Sequence, residues 1–291
     1  MNESPYNNPP AFHSDDLTPQ SPEDAAFHVI PVPWETSVSY EGGTQNGPAA
    51  ILHASTQLEV YCDGNMPGEA GIYTAPEINC VGTAPEVLDR IQEATANTLK
   101  LGKFPILLGG EHAMTLGPIK AIAATGIEFG VIQFDAHADL REAYQGNPHS
   151  HASVMKRVHD LGIPIFSIGV RALCKEEADL RERDEIPHLD GKEFWKNGYP
   201  EQILPIDFPK NIFITFDVDG LDPSIMPTTG TPVPGGLTWF QAIDGLERLF
   251  SDKNVIGADI VELAPQPGRH DTDFLAANLV YKIMDLSTRS K

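Results

Sequence analysis

Cysteine is scarce in this 291-residue sequence: Cys62, Cys80 and Cys174 are an odd number, scattered, with no CxxC pair. That excludes a disulfide framework and a thiolate metal site, and it fits a reducing cytoplasm. Positive charge is scarce too, since 20 Lys and Arg stand against 41 Asp and Glu, for a formal net charge of -21. A nucleic acid would be repelled by most of such a surface, whereas a small cation would be attracted. No apolar run approaches the ~20 residues that span a bilayer, so no membrane partner is expected. The first residues, MNESPYNNPPAFHSDD, lack the basic start and apolar stretch of a secretory signal. Internal repeats and linker-like breaks in composition are missing as well.

What remains is globular in composition, with 41% hydrophobic and 21% charged residues. Residues 1–26, rich in Pro, Asn, Ser, Asp and Glu, read as a flexible or surface-draped arm, and residues 27–291 as one catalytic domain beginning at the apolar run FHVIPVPW. Short β-branched runs then alternate with segments able to form helices. The candidate strands are Phe104–Leu108, Phe129–Phe134, Ile163–Ile168, Ile212–Phe216 and Val255–Ile260. Candidate helices include Ala84–Leu101, Thr115–Ala124, Ser150–Leu161, Lys175–Arg183 and Trp239–Ser251. Such alternation implies an α/β fold with a mainly parallel sheet covered on both faces, which binds ligands beyond the carboxyl ends of its strands. Each of the five runs ends in polar or glycine-rich residues: GGEH, DAHAD, GVR, DVDG and VEL.

The sequence Asp135-Ala136-His137-Ala138-Asp139 follows VIQF directly. Side chains alternate along extended backbone, so three ligand types separated by single alanines can share a face. One such motif could be a surface turn. A second alternating pair, Asp217 and Asp219, ends another apolar run, and His112 follows a third. Gathered side by side, four carboxylates would repel one another and pay for lost hydration unless cations neutralised them. Two imidazoles and four carboxylates are too many ligands for one tetrahedral zinc and suit two harder cations such as Mn²⁺, with Co²⁺ or Ni²⁺ as alternatives.

In this order the motifs resemble those of the arginase and agmatinase ureohydrolases. The likeness runs from VIPVPWETSVSYEGGTQNGPAAI through GGEHAMTLG, FDAHADLR, SHASVM, SIGVR and DVDGLDPSIMPTTGTPVPGGLTW to DIVELAP. It implies a three-layer α/β/α sandwich around a parallel sheet of about eight strands, and a homo-oligomer, trimer or hexamer. It also implies that His112, Asp135, Asp139 and Asp217 hold one cation, and His137, Asp135, Asp217 and Asp219 the other. Glu262 would then receive a substrate guanidinium, and His151 would shuttle protons near its ordinary pKa. His149, two residues away, competes with it for that role.

The resemblance implies an amidinohydrolase. An arginine-specific member would read the α-carboxylate with an Asn/Thr/Ser-rich loop, whereas the corresponding stretch here is LREAYQGNPHS. The expectation is therefore the agmatinase branch: agmatine cleaved to putrescine and urea, a step of polyamine biosynthesis, with Glu142 meeting the terminal ammonium and Thr231 approaching the guanidinium. Guanidinobutyrate, guanidinopropionate, guanidine and arginine are the alternative substrates. A one-zinc deacetylase-like hydrolase and a non-enzymatic metal-binding family member are the alternatives in kind.

Overall fold

The computed structural model describes residues 8–289. Eight strands, all parallel, form one sheet: β1 (Phe27–Val32), β2 (Ile72–Thr74), β3 (Phe104–Gly109), β4 (Phe129–Phe134), β5 (Ile165–Ile168), β6 (His188–Leu189), β7 (Asn211–Asp217) and β8 (Asn254–Val261). Their spatial order is β2-β1-β3-β8-β7-β4-β5-β6. Eight α-helices cover it: α1 (Gly47–Ser55), α2 (Ala84–Lys100), α3 (Leu116–Ala123), α4 (Val154–Asp160), α5 (Lys175–Arg183), α6 (Gly191–Asn197), α7 (Trp239–Asp252) and α8 (His270–Arg289). The expected α/β/α sandwich is the fold observed.

Alternation along each strand divides the core into two layers. On β7, Ile212, Ile214 and Phe216 join a cluster with α1, α7 and α8, while Phe213 faces the opposite way, towards a cluster built on α2, α3 and α4. Every residue of β1, β3 and β4 is buried, as a sheet covered on both faces requires. Helix starts are marked by capping boxes, Thr83 with Glu86 on α2 and Thr238 with Gln241 on α7.

Several boundaries differ from expectation. The strand placed at Ile163 starts at Ile165, after Pro164. The helices expected from Thr115 and from Ser150 begin later, at Leu116 and Val154, each preceded by a short 3₁₀ turn, His112–Thr115 and His151–Ser153. Those turns carry site histidines, so the backbone is tighter where the side chains are aimed. Strands β1, β2 and β6 and helices α1, α6 and α8 are not among the elements assigned from sequence.

The residues ahead of β1 lie against the body. Phe12 is 2% exposed and packs in the first cluster, and His13 is fully buried between Phe12 and Tyr281. The Phe12 amide donates to Thr74 Oγ1 and the His13 amide to Ser55 Oγ. Residues 1–7 of the expected arm lie outside the described residues.

Candidate metal centre and active site

Parallel strands put all their carboxyl ends at one edge of the sheet, and β3, β8, β7, β4 and β5 are consecutive there. Strand spacing is ~4.8 Å, so the motifs that follow these five strands meet in one place although they span residues 110–262 of the chain. The close fit at this edge shows at Gly110, where an added Cβ would stand 2.1 Å from the Trp34 carbonyl oxygen.

His112 is fully buried, and its Nδ1 lies 3.0 Å from Asp139 Oδ2, 3.1 Å from Asp135 Oδ2 and 3.5 Å from Asp217 Oδ2. His137 Nδ1 lies 2.9 Å from Asp219 Oδ2 and 3.6 Å from Asp135 Oδ1. Backbone amides orient the acids: His137 N–H donates to Asp135 Oδ1, Ala136 N–H to Asp219 Oδ1 and Asp219 N–H to Asp217 Oδ1. Gln133 Nε2 donates to Asp135 Oδ2 and is itself anchored by Ser167. Asp139 has φ 52° and Glu262 φ 66°, left-handed backbone that non-glycine residues seldom adopt and that clusters at functional sites.

The donor set fits divalent cations on two counts. Ligand atoms of His112, Asp135 and Asp217 lie within 4.8 Å of one another, and so do those of Asp135, His137 and Asp219. Moreover, His112 Nδ1 makes no hydrogen bond although three carboxylate oxygens surround it. A buried ring nitrogen converging with carboxylates on a common point, rather than bonding to any of them, is what a hard or borderline cation needs. Its Nε2 pairs with Thr215 Oγ1 at 2.8 Å, an outer contact that sets the ring plane.

Electrostatics mark the same spot. Burial would lower the His112 and His137 rings, but the facing carboxylates outweigh it, holding His112 well above its usual value and His137 up at about 12. Burial, then the charge of Asp135, raises Asp139 to about 7; burial and neighbouring aspartates likewise raise Asp217 and Asp219. Asp135 alone is depressed: burial opposes the charge, yet His112 and His137 prevail. These groups compensate one another with protons where cations would otherwise stand.

Above the cluster runs a narrow cleft, with Glu262, His151, Thr231, Glu35 and Glu41 in its wall. Glu262 Oε1 accepts the His112 amide at 2.6 Å, and burial raises its carboxyl well above the usual range. His151 is held by Ser37 and Ser39, and burial lowers it to about 4 rather than leaving it near the ordinary value expected. His149 does not line the cleft. Nor does Glu142: its exposed carboxylate pairs with Lys156 and Arg157, so the expected contact with substrate has no geometric basis. Arg171 binds the carbonyls of Asp219, Leu221 and Val233, and Asp222 accepts the amides of Ser224, Gly235 and Gly236; together they fasten the proline-rich loop that delivers Thr231. Sequence reasoning passed over Glu35, Ser37, Ser39 and Glu111, which sit in loops or beside a more conspicuous histidine.

The arginase family model matches residues 25–285. The chain is a member of the arginase family. It is a ureohydrolase, an enzyme that cleaves amidino carbon–nitrogen bonds. It is similar to the N(1)-aminopropylagmatine ureohydrolase of Synechocystis sp., with 40% identity over 90% of this chain and 89% of that protein. It is also similar to the agmatinase of Pyrococcus horikoshii, at 30% identity over 92% and 94%. Among solved structures, the agmatine ureohydrolase of Thermoplasma volcanium superposes with a TM-score of 0.87, at 29% identity and covering 96% and 95% of the two chains. In this ureohydrolase the acidic cluster lies at the carboxyl edge of the sheet, beneath the cleft that Glu262 and His151 line.

Proposed function

We propose that this ureohydrolase removes urea from agmatine-type substrates, in which a guanidinium is carried on an alkyl chain that ends in an amine. The observation that supports this most is the wall of the cleft: Glu35, Glu41 and Glu262 line it together with the aspartates, and no Lys or Arg does. A substrate carboxylate at the distal end of the chain, as in arginine or guanidinobutyrate, would meet Glu35 and Glu41 there, with no Lys or Arg among the described residues of the wall to pair with it. A distal ammonium finds the exposed Glu41 in the wall, in the role expected of Glu142. The relative at 40% identity is named for N(1)-aminopropylagmatine, which favours the longer polyamine as a second substrate of the same class.

The proposed metal ligands are His112, Asp135, Asp139 and Asp217 for one cation and His137, Asp135, Asp217 and Asp219 for the other, with Mn²⁺ preferred over Co²⁺ or Ni²⁺. Bound there, the cations supply Lewis acidity and activate water near neutral pH. Glu262 grips the planar guanidinium through directional, charge-assisted hydrogen bonds and orients its carbon over the cluster. Arrival of that cation also relieves the burial that pushes the Glu262 carboxyl up. Thr231 lines the same cleft and approaches the guanidinium. His151, neutral at pH 7, adds no positive charge to repel the substrate and takes up and returns a proton as the amine leaves. The three free cysteines support a reducing cytoplasm, and the assembly proposed is a trimer or hexamer. No helix among the described residues is long and apolar enough to cross a membrane.

Urea release measured with agmatine, N(1)-aminopropylagmatine, arginine and 4-guanidinobutyrate, with and without added Mn²⁺, tests the reading. Both amine-ended compounds should be turned over in a metal-dependent way and far faster than the two acids. Comparable turnover of either acid would overturn the argument from the cleft wall.

A further inference from the structure

Glu111 is the buried acid of this region that the reaction as described leaves unused. It is 1% exposed, and both of its oxygens turn away from the metal ligands towards the loop after β1. Oε2 accepts the amides of Thr36 at 3.1 Å and Ser37 at 2.6 Å, and Oε1 accepts Thr36 Oγ1 at 3.0 Å. Ser37 Oγ lies 2.8 Å from the same Oε2, 3.0 Å from the His151 amide nitrogen and 2.9 Å from His151 Nδ1. Ser39 Oγ lies 2.7 Å from His151 Nε2.

A hydroxyl has one proton and two lone pairs, which decides the direction of each bond. Oε2 already faces two backbone protons, so it accepts from Ser37 rather than donating to it. The Ser37 proton is thereby spent on Glu111. One Ser37 lone pair takes the His151 amide, an obligatory donor. The remaining lone pair can only be satisfied by a proton on Nδ1. The His151 Nε2 is then an acceptor, facing Ser39 at the cleft wall.

We infer that Glu111, acting through the Ser37 hydroxyl, is a positioning residue that holds His151 in its Nδ1–H tautomer with the Nε2 lone pair turned to the cleft. This rests on the reading of His151 as the group that moves a proton. Without the device, both tautomers of a neutral imidazole are accessible, and one of them presents an N–H where a base is needed.

The test uses the full chain, ¹⁵N-labelled at histidine and loaded with diamagnetic Zn²⁺, with His151→Asn identifying the ring signals. The wild type should show one His151 tautomer, protonated at Nδ1. In Ser37→Ala the tautomers should mix, and in the Mn²⁺-loaded enzyme kcat should fall by about a hundredfold, the low end of what a positioned acid–base group contributes, with KM and metal content kept. Ser37→Thr, which retains the hydroxyl, should restore both. Glu111→Ala should mix the tautomers as Ser37→Ala does; should it fail to fold, the two Ser37 variants still decide. An Nε2–H tautomer in the wild type, or an unchanged tautomer in Ser37→Ala, overturns the inference. Mixed tautomers with unchanged kcat would uphold it and instead remove His151 from proton transfer.

Discussion

Adding Mn²⁺ to the metal-free protein at pH 7 should expel protons, and the arrangement at the strand tips says how many. His137 is held up at about 12 and His112 well above its ordinary value, so both rings carry protons in the metal-free chain. A ligating imidazole must be neutral, so both protons leave on metal binding. Asp139, raised to about 7 by burial and by Asp135, gives up about half a proton, and Asp217, also raised by burial and its aspartate neighbours, adds a share. The sum is roughly three protons per chain. By linkage, the logarithm of the apparent binding constant should then rise by about three for each pH unit near pH 7. Calorimetric titration in two buffers of different ionisation enthalpy reads the proton count directly, and repetition from pH 6.5 to 7.5 reads the slope. Release of fewer than one proton would refute the reasoning, because it would mean that the imidazoles are already neutral and that the carboxylates are not crowded as described.

Asp217→Asn or Asp135→Asn should abolish both metal loading, measured by elemental analysis, and turnover; a metal-free variant with full activity would contradict the ligand assignment. In EDTA the melting temperature should fall between pH 6 and pH 8. Raised groups contribute stability that is complete below their unfolded values, 6.5 for His112 and His137 and 3.8 for Asp139 and Asp217, and that is lost as pH rises through their folded values. Asp135 has the opposite sign, but its window lies below 3.8, outside this range. Phe12→Ala should cost about 3–5 kcal/mol in chemical denaturation, as for other buried phenylalanines, whereas a freely moving arm would give almost no change.

How much of this was legible follows from where the signals lie. Five of the six inner strands were readable because apolar runs ended abruptly in DAHAD, DVDG, GGEH, GVR and VEL. The two edge strands were not, since β2 and β6 are three and two residues long and leave no periodicity. Helix α8 escaped because it buries residues on most of its faces, Lys282 and Asp285 included, and so shows no clean polar side. Residues 8–26 read as an arm because their composition is polar, and they drape on the body through Phe12, His13 and Ala25, all buried. The clustering of the His and Asp side chains was legible because they stand at strand ends, where alternation fixes direction. Glu142 was misplaced for the converse reason: it lies in a loop, and spacing in a loop carries no information about which way a side chain points. Glu111 was overlooked beside His112 because its partners, Thr36 and Ser37, are 75 and 74 residues away in sequence.

The same crowding that makes the centre costly would favour cationic substrates. Four aspartates and Glu262 converge at the edge of a sheet whose interior is apolar, and Asp139 and Glu262 hold left-handed backbone to do so. An apolar sheet of eight strands can carry that strain and repulsion, but only positive charge relieves it. Cations at the floor would neutralise the aspartates, and a guanidinium against Glu262 would restore the charge that burial suppresses there. Glu35 and Glu41 in the wall, with no Lys or Arg among its described residues, extend that demand beyond the reacting group. Replacing Glu41 with Gln should therefore raise KM for agmatine while leaving kcat and the KM of unsubstituted guanidine nearly unchanged. An equal rise for both compounds would place the effect on the guanidinium and not on the distal amine.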